Sequence, residues 1–177
     1  KEVFMSYDSN CNNRPYKNQK HLSNKNITNR KSPPIGLENN NSNTLLVFQS
    51  PGIEEWEKGQ AIQPSRKKGG TAGRRIELSW ERKQKNRYDF NIINAVQCFP
   101  GNDGDRDLEP NIMSICSCSN RLEHILNEKK YNKIILFGAI AQNVVDNLLN
   151  KLGLEVDVVK SKHPTGGLSN EYLDGLW

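Results

Sequence analysis

Polar side chains that could bind or activate a substrate follow three apolar segments of this sequence. Gln49 and Ser50 end the run LLVFQS, Asn94 ends FNIIN, and His163 follows LEVDVVKSK. An Asn amide carries both a donor and an acceptor and can match the edge of a nucleobase. A His side chain can stabilise negative charge that develops during a reaction. Neither Gln49 nor Ser50 can act as a strong general base near neutral pH.

These residues need a scaffold, and the surrounding sequence predicts strands that alternate with helices. Apolar runs predict four strands, in TLLVFQ, FNIINAV, KIILFG and LEVDVVK. Apolar residues at helical spacing predict helices in AGRRIELSWERKQ, IMSICSCSNRLEHILNEKK and AIAQNVVDNLLNKLG. The alternation predicts the α/β fold class, as a three-layer α/β/α sandwich around a central, mainly parallel four-stranded sheet. Because open α/β sheets bind ligands at the carboxyl ends of their strands, we expect Gln49, Asn94 and His163 to line one crevice.

For two of the predicted helices, the sequence also predicts a buried face or an end. In the first, we expect Ile76, Leu78 and Trp80 to lie near one face. In the last, we expect the helix to stop at Gly153, since Gly is favoured at helix C-termini.

Length and composition limit the classes of protein to which this chain can belong. The chain has 177 residues, which suits one domain with a substantial core. Residues 1–43 are rich in Asn, Lys and Ser and predict a polar N-terminal extension, ahead of an α/β domain at 44–177. No apolar run approaches the roughly 20 residues that span a membrane, and the start KEVFMSYDSN has no apolar signal segment. We therefore expect a cytoplasmic protein with no membrane partner, and we expect a monomer.

The charge balance favours a polyanionic partner. The net charge is +5 and the isoelectric point is near 9.0. A basic run, SRKKGGTAGRR, contains Arg66, Lys67, Lys68, Arg74 and Arg75 without an acid. Glycines between the charges would let the backbone approach phosphates. The alternative is an ordinary solvated basic surface.

Four cysteines occur, at positions 11, 98, 116 and 118. In an intracellular protein they are not expected to form disulfides. Two interpretations remain open on spacing alone. They are either thiols of the core or ligands of a metal or cluster.

Several motifs, in this order along the chain, together resemble the uracil-DNA glycosylase superfamily. They are VFQSPGIEEWEKGQAI, GGTAGRRIEL, IINAVQCFPGNDGDR, CSNRL, IILFGAIAQ and SKHPTGG. The similarity is greatest to the iron–sulfur family 4/5 branch of that superfamily, and it covers nearly all of the chain from residue 44. The resemblance implies a DNA-repair hydrolase that flips a damaged base out of DNA and cuts its N-glycosidic bond, leaving an abasic site.

The resemblance also implies roles for individual residues. Asn94 would hydrogen-bond the base edge, and His163 would stabilise negative charge on the leaving base. Gln49 and Ser50 stand where relatives position or activate water. Backbone contacts to phosphates would come from Pro51, Gly52, Gly166 and Gly167, with Leu168 as a wedge in the base stack and Arg66, Lys67 and Lys68 as further DNA contacts.

The chain departs from the family pattern at the site. Gln49 replaces the Glu of family 4, and Ser50 stands where other branches carry Asp or Asn. Ile62 replaces a Phe that stacks on the base, which alters the pocket.

A second departure concerns the [4Fe–4S] cluster that family 4 members carry. Cys11, Cys98 and Cys118 match three of its ligands, but Arg14 replaces the other one. Cys116 could supply a fourth thiolate only if the helix distorts, and such clusters normally take four. An intact cluster would dock the N-terminal extension through Cys11. Without the cluster, the extension would have to dock by other contacts.

Three classes of function follow. The first is a DNA glycosylase acting on uracil or another deaminated or modified base. The second is a catalytically weakened or inactive nucleic-acid-binding protein on the same fold. The third, an unrelated α/β enzyme acting on a nucleotide or sugar phosphate, is disfavoured because the sequence has no Gly-x-Gly-x-x-Gly or P-loop lysine motif.

Overall fold

The structure is a computed structural model and describes residues 34–64, 71–102 and 106–177. The predictions for Cys11, Arg14, Arg66, Lys67 and Lys68 lie outside the described residues.

A four-stranded parallel sheet forms the centre of the molecule. Its strands are β1 (Thr44–Phe48), β2 (Asn91–Asn94), β3 (Lys133–Phe137) and β4 (Asp157–Ser161), in the order β2-β1-β3-β4. All three neighbouring pairs are parallel. The helices are α1 (Ile53–Lys58), α2 (Ala72–Arg82), α3 (Ile112–Glu128), α4 (Ala139–Leu152) and α5 (Asn170–Asp174). The predicted α/β fold class and four-stranded sheet are confirmed.

The two faces of the sheet pack against different helices. Alternate residues of β1 separate into two groups, with Leu45 and Val47 in the first core and Leu46 and Phe48 in the second. The first core contains buried residues of α3 and α4, and the second contains buried residues of α2 and α5. The rings of Phe48 and Phe137 stack in the second core with centroids 4.5 Å apart. Helices on both faces complete the three-layer sandwich.

Helix α2 differs from its predicted orientation in one respect. Its buried residues are Gly73, Ile76, Ser79 and Trp80. The expectation that Leu78 lies with Ile76 and Trp80 is wrong, because residues two apart do not share a helix face. The prediction for α4 is confirmed, since Gly153 is the C-cap and has the left-handed φ of 62°.

The described residues before β1 lie along the outer edge of β2. The backbone N–H of Ile35 donates to the carbonyl of Gln97 at 2.7 Å, and Ile35 is buried in the second core. Glu38 forms an antiparallel bridge with Ile92. The predicted division of the chain at residues 43 and 44 stays a prediction.

None of the helices in the described part of the chain is both long enough and apolar enough to cross a membrane.

Candidate functional site

Asn94 ends β2 at the carboxyl edge of the sheet. It pairs in register with Phe48 and, like Ile92 two residues earlier, faces the second core. Its side chain is only 1% exposed, yet its amide Nδ2 has no hydrogen-bond partner among the described residues. Buried polar groups in folded proteins almost always have a partner. The amide is therefore a candidate hydrogen-bond donor to a ligand.

Asn91, at the other end of the same strand, shows the contrast. It is equally buried, but its amide makes four hydrogen bonds. Its Oδ1 accepts from the backbone of Asn40 (2.9 Å) and Ser42 (3.1 Å), and its Nδ2 donates to Asn39 Oδ1 (3.2 Å) and Tyr131 Oη (3.1 Å). The amide of Asn91 thus stabilises the fold, whereas the amide of Asn94 does not make an equivalent set of hydrogen bonds.

Ile62 packs in the second core, on the sheet face that Asn94 shares. Its φ of 51° is in the left-handed region, which a β-branched residue rarely adopts. The guanidinium of Arg87 stabilises this backbone by donating to the carbonyl oxygens of Ala61 and Ile62, the latter at 2.8 Å. The same guanidinium pairs with the Glu38 carboxylate at 2.6 Å. Burial raises the pKa of Glu38, but its bonds with Arg87 outweigh this and lower the pKa.

Helix α2 packs directly against the loop that carries Ile62. A Cβ on Gly73 would overlap the carbonyl group of Gln63, so only glycine allows this approach. The helix begins after Thr71, whose hydroxyl accepts from the backbone N–H of Arg74 at 3.3 Å. The residues of GGTAGRRIEL from Thr71 onward therefore fix the position of the Ile62 loop.

His163 lies in the loop that follows β4. The chain turns tightly after it, with the N–H of Gly166 donating to the His163 carbonyl at 2.7 Å. A Cβ on Gly166 would lie 2.9 Å from that carbonyl oxygen, and Gly167 has a φ of 76°, so both glycines are needed for the turn.

Thr165 determines which nitrogen of His163 carries the proton. Its backbone N–H lies 3.4 Å from Nδ1, and its hydroxyl lies 2.8 Å from the same nitrogen. Because the backbone N–H can only donate, we assign the proton of the neutral ring to Nε2. Burial lowers the pKa of His163, which favours this neutral form at pH 7. The ring therefore offers an N–H donor on its Nε2 side.

Arg75 anchors the His163 loop to α2. Its guanidinium donates to the carbonyl oxygens of Pro164 and Leu168. Arg74 forms an ion pair with Glu77 on the same helix. Sequence reading missed these roles and took both arginines as part of one basic run, and no local pattern distinguishes them. Leu168 is half-buried and packs against the second core.

Gln49 and Ser50 follow β1 and are half-buried. The Gln49 carbonyl accepts from the N–H of Val96 at 2.9 Å. The two segments of backbone therefore remain paired beyond the ends of β1 and β2. This pairing places Gln49 and Asn94 at the ends of adjacent strands. His163 follows β4, which is separated from β1 by β3.

Two carboxylates accept hydrogen bonds from backbone N–H groups at the N-terminus of α1. Glu55 accepts from the N–H of Gly52 at 3.0 Å, and Asp107 accepts from the N–H of Ile53 at 3.3 Å. Burial raises the pKa of Glu55, and the nearby Asp107 carboxylate adds to the rise, while backbone donors oppose it. A phosphate approaching Gly52, which follows the buried Pro51, would compete with these carboxylates. Sequence reading did not assign a role to either acid.

The cysteines divide into two environments. Cys98 and Cys118 are buried in one small cluster with Val96, whereas Cys116 is exposed. Within residues 34–64, 71–102 and 106–177, no group of three or more His, Cys, Asp or Glu side chains could hold a metal ion. These residues therefore supply two neighbouring thiols, fewer than the four that a [4Fe–4S] cluster takes.

The comparisons with known proteins agree with this architecture. The family model of the Uracil DNA glycosylase superfamily matches residues 35–176. No curated protein matches the chain. The matched range includes all four strands, the loop with Ile62, Asn94 and the His163 loop. The chain belongs to the uracil-DNA glycosylase superfamily.

Proposed function

We propose that this protein is a DNA glycosylase that excises uracil, or a related deaminated or modified base, from DNA. The observation that carries the proposal is the buried Asn94 amide, whose Nδ2 finds no acceptor among the described residues. A base flipped into the site would supply one and would offset part of the cost of flipping. Ile62, on the same sheet face, would form an apolar wall of the pocket.

His163 would act on the leaving base. When the bond between the sugar C1′ and the base nitrogen breaks, its electron pair leaves with the base. The Nε2–H of a neutral imidazole can donate to the oxygen on which this charge accumulates. The bond with Thr165 and the lowered pKa of His163 both favour that protonation state.

Gln49 and Ser50 would position water rather than deprotonate it. The sugar in such a reaction passes through an oxocarbenium-like state, to which water adds readily. The water oxygen bonds to C1′, and its proton is released to solvent. An amide oxygen or a hydroxyl can orient that water without taking up the proton. We therefore expect slow excision compared with enzymes that have a carboxylate there.

We also propose contacts to DNA phosphates and a test for the cluster. Gly166, Gly167 and the basic run at 66–68 would contact phosphates. An intact cluster, as in the iron–sulfur family 4/5 branch, would require Cys11 and a fourth ligand to join Cys98 and Cys118. Analysis of iron and acid-labile sulfide in the purified protein tests this, and the proposed excision reaction does not depend on the cluster.

A second function is favoured by Gln49 and Ser50 themselves, since neither can act as a strong base. The protein would then bind nucleic acid without releasing bases. Such binding would weaken steeply with salt, because phosphate contacts release counterions.

Oligonucleotides that contain uracil, hypoxanthine, xanthine or a modified cytosine distinguish these functions. Duplex and single-stranded forms are incubated with the protein, and abasic sites are cleaved with alkali. We expect cuts at one class of base, and we expect them to disappear in Asn94→Ala and His163→Ala. DNA binding without cuts on any substrate would refute the glycosylase proposal and support the binding protein.

A further inference from the structure

Arg75 makes contacts that differ from those of an ordinary surface arginine. It lies on the first turns of α2, and its side chain crosses to the loop after β4, about ninety positions later in the chain. There it donates to two carbonyl oxygens, those of Pro164 and Leu168. These carbonyls lie on either side of the turn formed by Thr165, Gly166 and Gly167. The guanidinium therefore links the two ends of the turn.

At the flanks of the loop Pro164 is buried and Leu168 packs against the second core, but the turn between them has few other contacts within the described chain. The N–H of Gly166 bonds to His163, and Thr165 bonds to the His163 ring, but both contacts are internal to the turn. Residues 165–167 are exposed, so burial contributes little to holding them. Contacts from Arg75 reach the turn from a separate, packed element.

Helix α2 is well suited to hold this loop. Gly73 fixes the same helix against the carbonyl of Gln63, next to Ile62. Ile76, one residue after Arg75, is fully buried in the second core. One rigid helix therefore contacts the loop with Ile62 and the loop with His163.

We propose that Arg75 is a positioning residue, which holds the His163 loop at the distance from the Ile62 loop that base excision needs. The proposal rests on the glycosylase function proposed above. A guanidinium is required because its planar donors can reach two carbonyls at once, which a lysine ammonium cannot do with the same rigidity. Arg75 touches neither base nor sugar in this role.

The test compares Arg75→Ala with Arg74→Ala. Both variants remove one positive charge from the same turn of α2, so both should change the Kd for DNA by similar factors. Only Arg75→Ala should slow single-turnover excision, by about 100-fold, the loss that a misplaced catalytic group causes. Arg75→Lys should stay slow, and added guanidinium ion should partly restore the rate of Arg75→Ala.

A second measurement does not depend on activity. Hydrogen exchange in a peptide that spans residues 162–169 should be faster in Arg75→Ala and unchanged in Arg74→Ala. Unchanged exchange in Arg75→Ala would overturn the proposal. So would faster exchange with an excision rate equal to that of the native protein. If the native protein excises no base, the proposed glycosylase function is wrong, and the positioning role of Arg75 is wrong with it. Faster hydrogen exchange in Arg75→Ala would then show that Arg75 only stabilises the structure of the loop.

Discussion

Replacing Asn94 with Leu should stabilise the DNA-free protein while abolishing base excision. Leu has the same branching as Asn and no polar atoms, so it fills the space without the amide. The amide Nδ2 of Asn94 is buried and has no partner in the described chain. An unsatisfied buried donor costs about 1–3 kcal/mol, and the substitution removes that cost.

In a chain of this length, 1 kcal/mol shifts the melting temperature by about 2–4 °C. We therefore expect Asn94→Leu to raise the melting temperature by about 2–12 °C. The two methyl groups of Leu replace Oδ1 and Nδ2 and are slightly larger, so crowding of their neighbours would reduce the gain.

Asn91→Leu is the matched control, because it makes the same substitution in the same strand. The amide of Asn91 makes four hydrogen bonds, and Leu would leave their partners unsatisfied. At about 1 kcal/mol for each bond, we expect a loss of roughly 3–4 kcal/mol. The two variants should therefore move the melting temperature in opposite directions.

Calorimetry, together with urea unfolding at pH 7, measures both changes. Excision by Asn94→Leu is assayed on the substrate that the native protein cuts. A lower melting temperature for Asn94→Leu, similar to that of Asn91→Leu, would refute the reasoning. It would mean that a partner such as ordered water already satisfies the Asn94 amide in the DNA-free protein.

Three further predictions concern a helix end and two titrating groups. Gln84 follows α2 with a φ of 53°, so Gln84→Gly should raise the free energy of unfolding by about 1 kcal/mol in urea titrations, and a decrease would contradict this. Burial lowers the pKa of His163 below 6.5, so the acidic inflection of the pH–rate profile for excision should lie below pH 6.5; an inflection above 6.5 would count against a neutral imidazole. Hydrogen bonds from Arg82 and Ser79 lower the pKa of Asp174 from 3.8 to about 2, so its contribution to stability is present above pH 3.8 and is lost as pH falls toward 2. Asp174→Asn should make the urea midpoint less dependent on pH in that range, and an unchanged dependence would exclude this group as the cause.

The sheet could be predicted because its strands are nearly continuous apolar runs. In β1 and β3, four of five residues are fully buried, which is typical of parallel strands covered on both faces. Helices α3 and α4 have 17 and 14 residues, long enough for their periodicity to be recognised. Helices α1 and α5 have six and five residues, too few turns to establish a period, so they could not be predicted from the sequence.

The site could be predicted only in part, because its chemistry depends on distant partners. Asn91 and Asn94 are the same residue type in one strand, and their different roles come from residues 39–42 and 131. Arg75 is likewise one arginine in a basic run until the loop after β4 folds back against it. Sequence order places residues at the sheet edge, but it does not tell which of them are already hydrogen-bonded.

The left-handed backbone at Ile62 has a consequence for how base preference could change. Arg87 and Glu38 stabilise this conformation through main-chain carbonyls, and neither contact involves the Ile62 side chain. The loop path is therefore set independently of the side chain at position 62, which can be exchanged wherever the new side chain fits the second core. Ile62→Phe would test this by offering an aromatic surface from an unchanged Cα position. Selectivity for different lesions could then evolve one residue at a time, without any rebuilding of the scaffold.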